Sequence, residues 1–323
     1  MKVALVHEFL NQLGGAEAIL KDFLEIWPDA DVHVILYNKE KTHGEFERYH
    51  KKVSWLNNMP LAQSHHRLLL PLMPGAIEGF DFSEYDLVLS DSSSFAKGIK
   101  TDKLHICYCH TPTRFLWTDP EYIDYQKYTW VLRFLGKVFL PFLKHWDYNA
   151  AQRPNFYIAN STNVQNRIKK YYDRESVVMH PPIDTEFYRP MGGKQDYFFT
   201  VSRLEPYKRV DLIIEAFNEL GWPLKIAGTG TMEKELKAQA HPNIEFVGRV
   251  SNEDLRKHYS EAKAFIFSAI EDAGMTIVEA QAAGTPVIAL RAGGALETVV
   301  EGVTGEFFDK QTAGSLVEKL KNF

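Results

Sequence analysis

Two glutamates, Glu271 and Glu279, enclose the heptapeptide Asp-Ala-Gly-Met-Thr-Ile-Val, between apolar runs at 264–267 and 286–290. The pattern reads strand, loop, helix, strand, with Gly274 allowing a tight approach and the helix beginning near Met275. A helix start presents free backbone amides and the positive end of the helix dipole, a site suited to phosphate oxygens. Glu279, about one turn in, is placed to accept two hydrogen bonds from a vicinal diol such as ribose. Glu271, in the loop before it, reaches the group beyond a diphosphate. The plainer alternative for the same residues is a helix cap and a surface glutamate. A second constellation, Ser202-Arg203-Leu204-Glu205-Pro206-Tyr207-Lys208-Arg209, follows the apolar run 197–201. In open α/β sheets ligands bind outside the carboxyl ends of the strands, where Arg203 and Lys208 fall. Both cations can face one anion, and a departing nucleoside diphosphate gains the charge that fixed cations stabilise. Taken alone, this cluster also fits a solvated helix start.

The elements that must position these residues follow from the alternation of short apolar runs with helical patterns. Lys2 to Val6, then Leu13-Gly14-Gly15-Ala16-Glu17, then Ile19, Leu20, Phe23 and Leu24 read as strand, glycine turn and helix. Runs at 31–36, 87–89, 104–109 and 156–159 add strands, and the alternation predicts a parallel sheet covered on both faces. His180-Pro181-Pro182-Ile183-Asp184 cannot continue a helix and marks a crossover. Beyond it the alternation restarts with strands at 197–201, 224–227, 244–247, 264–267 and 286–290. The predicted fold class is α/β, two doubly wound lobes facing a central cleft, with an N-terminal domain over 1–185 and a C-terminal domain over 186–323.

Composition excludes several classes. The 323 residues and 45% hydrophobic content suit two compact cores, and a formal charge of -5 argues against nucleic acid as a partner. Cys107 and Cys109 fall in an apolar run with too few ligands for a metal, and read as reduced, buried strand residues. Asp29-Ala30-Asp31 has the form of a metal-binding D-x-D, but it lies directly after Pro28, between helix and strand, away from the strand carboxyl ends. Met1 to Phe9 has no cleavage site after it and Glu8 interrupts its apolar run, so a cytoplasmic protein is expected. A nicotinamide-dependent dehydrogenase would need G-x-G-x-x-G after a strand, and the first turn offers Gly14-Gly15 alone.

Taken together, Arg203 with Lys208 and Glu271-x7-Glu279 resemble the donor-binding signature of retaining GT-B glycosyltransferases of family 4. Gly14-Gly15-Ala16-Glu17, Ala159-Asn160-Ser161, His180 to Asp184 and Phe246-Val247-Gly248-Arg249-Val250 extend the likeness over most of the chain. The run Cys109-His110-Thr111-Pro112-Thr113-Arg114-Phe115-Leu116-Trp117 is similar to that of bacterial mannosyltransferases of polysaccharide and O-antigen assembly. By this resemblance His110 lies beside the donor sugar and Glu271 holds the sugar hydroxyls. Glu279 holds the ribose, Arg203 and Lys208 the diphosphate, and Gly14 and Gly15 let backbone amides approach it. Amides near Gly274, Met275 and Thr276 join them, and Val250 meets the base through its backbone. Arg114 and Trp117 become acceptor-side candidates.

The resemblance implies transfer of a hexosyl group with retention, mannose from GDP-mannose first and a UDP-hexose second, to a glycan or lipid-linked acceptor. No metal and no obligatory cofactor are expected, because Arg203 and Lys208 supply the positive charge. A non-catalytic bilobed sugar-nucleotide-binding protein is the alternative outside the enzyme class. Members of the family continue with further helices beyond the position of Phe323, so this chain ends short of that pattern, as a truncated form or a compact natural one. Lastly, residues 130–146 combine bulky apolar side chains with Arg133, Lys137 and Lys144 and no acid. They are too short and too charged to span a bilayer, and read either as a peripheral membrane contact or as a buried helix whose amphipathic pattern Pro141 breaks.

Overall fold

The computed structural model describes residues 1–117 and 130–323, which form two compact units, Met1–His180 and Pro181–Phe323. In the first unit the order is β1 (Val3–Leu10), α1 (Gly15–Ile26), β2 (Asp31–Tyr37), β3 (Lys51–Val53), α2 (Met73–Glu78), β4 (Leu87–Ser92) and β5 (Leu104–Cys109). Then come α3 (Arg114–Trp117), α4 (Trp130–Ala150), β6 (Phe156–Ala159), α5 (Thr162–Tyr172) and β7 (Val177–Val178). The strands pair in parallel in the order β3-β2-β1-β4-β5-β6-β7. Strand β1 reads Val-Ala-Leu-Val-His-Glu-Phe-Leu and is buried almost throughout, as a strand covered on both faces must be. Its residues alternate between two cores. Ala4 and Val6 join Ile35, Ile77, Leu143 and Trp146 on one side, whereas Leu5 joins Leu20, Leu24 and Val34 on the other.

Helix α4 runs through Pro141 without ending there. This corrects the reading in which that proline breaks the pattern. Leu143, Trp146 and Ala150 share one buried face, while Phe139 and Phe142 stay exposed. Packing of that face holds the helix despite the amide the proline lacks.

The second unit runs β8 (Phe198–Val201), α6 (Val210–Leu220), β9 (Leu224–Ala227), α7 (Glu233–Gln239), β10 (Ile244–Gly248) and α8 (Asn252–Glu261). It continues with β11 (Phe265–Phe267), α9 (Met275–Ala282), β12 (Val287–Leu290), α10 (Ala295–Thr298), β13 (Gly305–Phe308) and α11 (Ala313–Lys321). Its parallel sheet has the order β10-β9-β8-β11-β12-β13. Helix α11 lays Leu316, Val317 and Leu320 in one core with Ile213 and Phe217 of α6. Both units are therefore Rossmann-like. In each, the order reverses beside the first strand, at β1 and β4 in one and β8 and β11 in the other, and that crevice is where such sheets take ligands.

Candidate active site

In the C-terminal unit the loops after β8 and β11 meet at this switch point. Lys208 pairs with the Glu271 carboxylate, both side chains being largely buried. The hydroxyl of Ser268, just past β11, lies 3.1 and 2.9 Å from the carbonyls of Lys208 and Arg209 and ties the first loop to the second strand. Arg203 is exposed and donates to the Tyr207 hydroxyl at 2.6 Å. The two cations expected to face one anion thus share a loop but hold different partners.

Helix α9 starts at Met275, as its sequence pattern predicts, because Gly274 takes a left-handed φ of 66° that turns the chain sharply into the helix. The first amides of any α-helix lack intrahelical acceptors, so those of Met275 and Thr276 head this one. The Glu271 loop is braced from behind: Gly294 donates its amide to the Glu271 carbonyl at 2.9 Å, and a Cβ on Gly293 would stand 2.4 Å from that same oxygen. Sequence reasoning missed this Gly293-Gly294 pair, whose signal was its place three residues past the end of a buried strand.

Glu279 lies one turn inside α9 and accepts the Tyr259 hydroxyl at 2.8 Å. Burial pushes its carboxyl pKa up, and the tyrosine bond opposes that only in part. Further O–H donors, such as the two of a ribose diol, would favour its ionised form. Val250 follows β10, half-buried against the core that holds Tyr259, and Ser251 caps α8 by accepting the Asp254 amide at 3.1 Å.

In the N-terminal unit the switch point carries a buried chain of titratable groups. His7 on β1 stands in register with Asp91 on β4, and its Nδ1 lies 2.8 Å from Asp91 Oδ2. Asp91 Oδ1 takes the Nε2 of His110, just past β5. On its far side, His7 Nε2 is 3.8 Å from Glu17 Oε1 of α1, and Glu17 Oε2 is buried with no hydrogen-bond partner among the described residues. Burial alone would lower both histidine pKa values. Asp91, and for His7 also Glu17, outweigh it and raise them, while the two imidazoles hold Asp91 down at about 2 against its own desolvation. The linkage has two limbs. Stability from the imidazoles is full at low pH and is lost as pH climbs through their raised values; that from Asp91 is present above the ordinary carboxylate range and is lost as pH falls toward about 2.

Gly14 is extended and α1 begins at Gly15, so the first turn is built as read. Beside it Glu8 is buried. Its carboxylate accepts the amides of Ser93, Ser94 and Ala96 at 2.8 to 3.0 Å and the Ser92 hydroxyl at 3.0 Å. Arg114 opens α3. Trp117 closes it and donates its indole N–H to Asp147 at 2.7 Å, with Lys144 over its ring. Asp147 also accepts Lys97, Thr113 and Tyr172 at 2.6 to 2.8 Å, and both it and Lys97 are about 1% exposed. None of His7, Asp91, Lys97 or Asp147 was singled out from sequence, and Glu17 entered only as the last residue of the Gly14-Gly15-Ala16-Glu17 turn. A histidine and a glutamate ending an otherwise apolar β1, and Asp91-Ser92-Ser93-Ser94 ending β4, were the available signals.

Asp31 of the D-x-D sits at the start of β2, where His50 and Tyr85 bond it. Cys107 and Cys109 are buried thiols, and burial pushes that of Cys107 up to about 12. Among the described residues no helix is long and apolar enough to cross a membrane. Of the basic residues in 130–146, the side chains of Arg133 and Lys137 lie outside the described residues.

Residues 13–187 match Glycosyltransferase Family 4, and residues 184–323 match Glycosyl transferases group 1. An uncharacterized glycosyltransferase of Methanocaldococcus jannaschii is 28% identical over 170 residues, 50% of this chain and 48% of that protein. A GDP-mannose-dependent alpha-(1-6)-phosphatidylinositol monomannoside mannosyltransferase of Mycobacterium tuberculosis is 29% identical over 170 residues, 43% and 44% of the two chains. The chain thus spans less than half the length of these relatives. The Anabaena HepE structure in complex with UDP and glucose superposes with a TM-score of 0.71 at 20% identity, over 100% of this chain and 89% of that one. That likeness shows a GT-B fold.

Proposed function

Since the chain belongs to Glycosyltransferase Family 4, we propose that it transfers a hexosyl group from a nucleoside diphosphate sugar to a glycan or lipid-linked acceptor, with retention at the anomeric carbon. The observation that carries this is the meeting of Lys208 and Glu271 beside the α9 N-terminus, at the switch point of the C-terminal sheet. Lys208, Arg203 and the amides of Met275 and Thr276 take the diphosphate, Glu279 the ribose, Glu271 the sugar hydroxyls, and Val250 the base. The cations stabilise the charge that grows as the anomeric C–O bond breaks. The acceptor oxygen bonds to that carbon on the face being vacated, and its proton passes to the departing phosphate oxygen. His110 contacts the sugar, Gly14 and Gly15 admit amides to the diphosphate, Arg114 and Trp117 serve the acceptor, and no metal is required.

GDP-mannose is the favoured donor, because several relatives use it by name. HepE with UDP supports a UDP-hexose as the second reading. Thermal shift separates them. A nucleotide at a hundred times its dissociation constant stabilises its fold by about 2.7 kcal/mol, a rise of roughly 5 to 10 °C. GDP should give this rise with the wild type, and Glu279→Ala should need about ten- to a hundredfold more GDP for it. A shift with UDP and none with GDP would overturn the mannose assignment, and equal GDP affinity in the variant would overturn the role of Glu279. A donor that binds without ever releasing nucleoside diphosphate would favour the non-catalytic alternative.

We further infer that α4 touches a membrane. Its inner face is packed while Phe139 and Phe142 are exposed, an arrangement that leaves bulky apolar side chains for the lipid interface. Sedimentation with vesicles rich in anionic lipid should carry the protein down at low salt and less at high salt. No binding at either salt would sink the idea.

A further inference from the structure

We propose that Asp91 is a positioning residue that fixes which nitrogen of His110 works: it claims the Nε2 proton and leaves Nδ1 to meet the donor sugar, with His7 and Glu17 bracing it from behind. The proposal rests on the reading of His110 as a sugar-contacting group. Its basis is geometric. An ionised carboxylate only accepts hydrogen bonds, so both nitrogens that Asp91 touches, His110 Nε2 and His7 Nδ1, must carry protons. His110 is thereby held in one tautomer, its ring further set by the edge of Tyr108 at 5.3 Å. Its Nδ1 makes no hydrogen bond to any described residue. Histidine tautomers are set in general by the bond the other nitrogen makes.

The brace explains why so much charge is buried behind one imidazole. Asp91 is about 1% exposed and its two oxygens serve two rings, one on β1 and the other just past β5. His7 in turn lies between Asp91 and Glu17, 2.8 and 3.8 Å from their carboxylates, both of which favour its protonated ring. Other titratable groups near the array are Glu8 on β1, Asp22 on α1 and Tyr108 on β5. Asp91 is the one that bonds both rings. With its ring charged, His110 Nδ1 donates a proton to a sugar or phosphate oxygen; once deprotonated, the same nitrogen can only accept.

The test combines one measurement on the unaltered protein with one variant. Nitrogen-15 NMR of the full, histidine-labelled chain above the His110 pKa should report a protonated Nε2 and a bare Nδ1. The opposite tautomer overturns the proposal without reference to any variant or activity. In Asp91→Asn the amide can accept from one ring only and carries no charge, so nucleoside diphosphate release from GDP-mannose, or from UDP-glucose if that donor turns over, should fall in kcat by about tenfold or more. KM should change little. The alkaline limb of the pH profile should also move to lower pH, because the burial that disfavours the charged ring then loses its main opponent and keeps only the weaker pull of Glu8. Wild-type kcat and pH profile in a folded Asp91→Asn overturn the proposal. His110→Ala checks the underlying reading separately: it should lose turnover whatever Asp91 does, and full activity there would overturn both.

Discussion

Replacing Lys208 with Ala should lower kcat by about a hundredfold or more, and Arg203→Ala should do the same. In the proposed reaction each variant removes a fixed positive charge from the place where the departing diphosphate gains negative charge. The effect should therefore appear in kcat more than in KM. The structure sharpens the expectation for Lys208, which also neutralises Glu271. Its loss strips a largely buried carboxylate of this ion pair at the site proposed for the sugar hydroxyls, so Lys208→Ala should be the more damaging of the two. Arg203 is exposed and held by one tyrosine hydroxyl, and its removal should cost little stability. Steady-state kinetics beside melting curves decide the matter. Folded variants that retain wild-type kcat would return this cluster to a solvated helix start.

Asp147→Ala should destabilise the N-terminal unit by about 3–5 kcal/mol, because it strips the counter-charge from a buried Lys97 ammonium. That corresponds to a melting decrease of roughly 6 to 20 °C. Thr113, Trp117 and Tyr172 lose this acceptor in the same step; the first two belong to the run that carries His110, and the Tyr172 hydroxyl accepts the Thr113 amide. Removing both charges tests the cause. Lys97→Met combined with Asp147→Leu should cost less than Asp147→Ala, since no uncompensated charge then remains. A double variant as unstable as the sum of its parts would show that lost packing, not buried charge, is responsible.

Much of the fold was legible because parallel sheets write themselves as apolar runs. Strands β1, β2, β4, β5, β6 and β8 to β12 each coincide with such a run. The short β3 and β7, with Lys51-Lys52-Val53 and Val177-Val178, did not, since edge strands half-exposed to water carry no continuous apolar signal. In the candidate site, the legible part was local. Gly274, Glu271 and Glu279 share one loop and helix, so spacing alone placed them. The pairings were not legible: Lys208 with Glu271, His7 with Asp91 and Lys97 with Asp147 join residues 63, 84 and 50 positions apart. Strand order brings these partners together, and one sequence without its register does not contain that order.

Glu8 gives the two sheets different electrostatic characters. At the switch point of the N-terminal unit a ring of backbone amides points at one spot, and the chain fills that spot with its own side-chain anion. Those three amides are spent on Glu8 and are not available to a phosphate. The corresponding place in the C-terminal unit offers the head of α9 and a lysine. One architecture thus uses its switch-point amides in two ways, turned inward onto a side chain of its own first strand in one unit and heading a helix in the other.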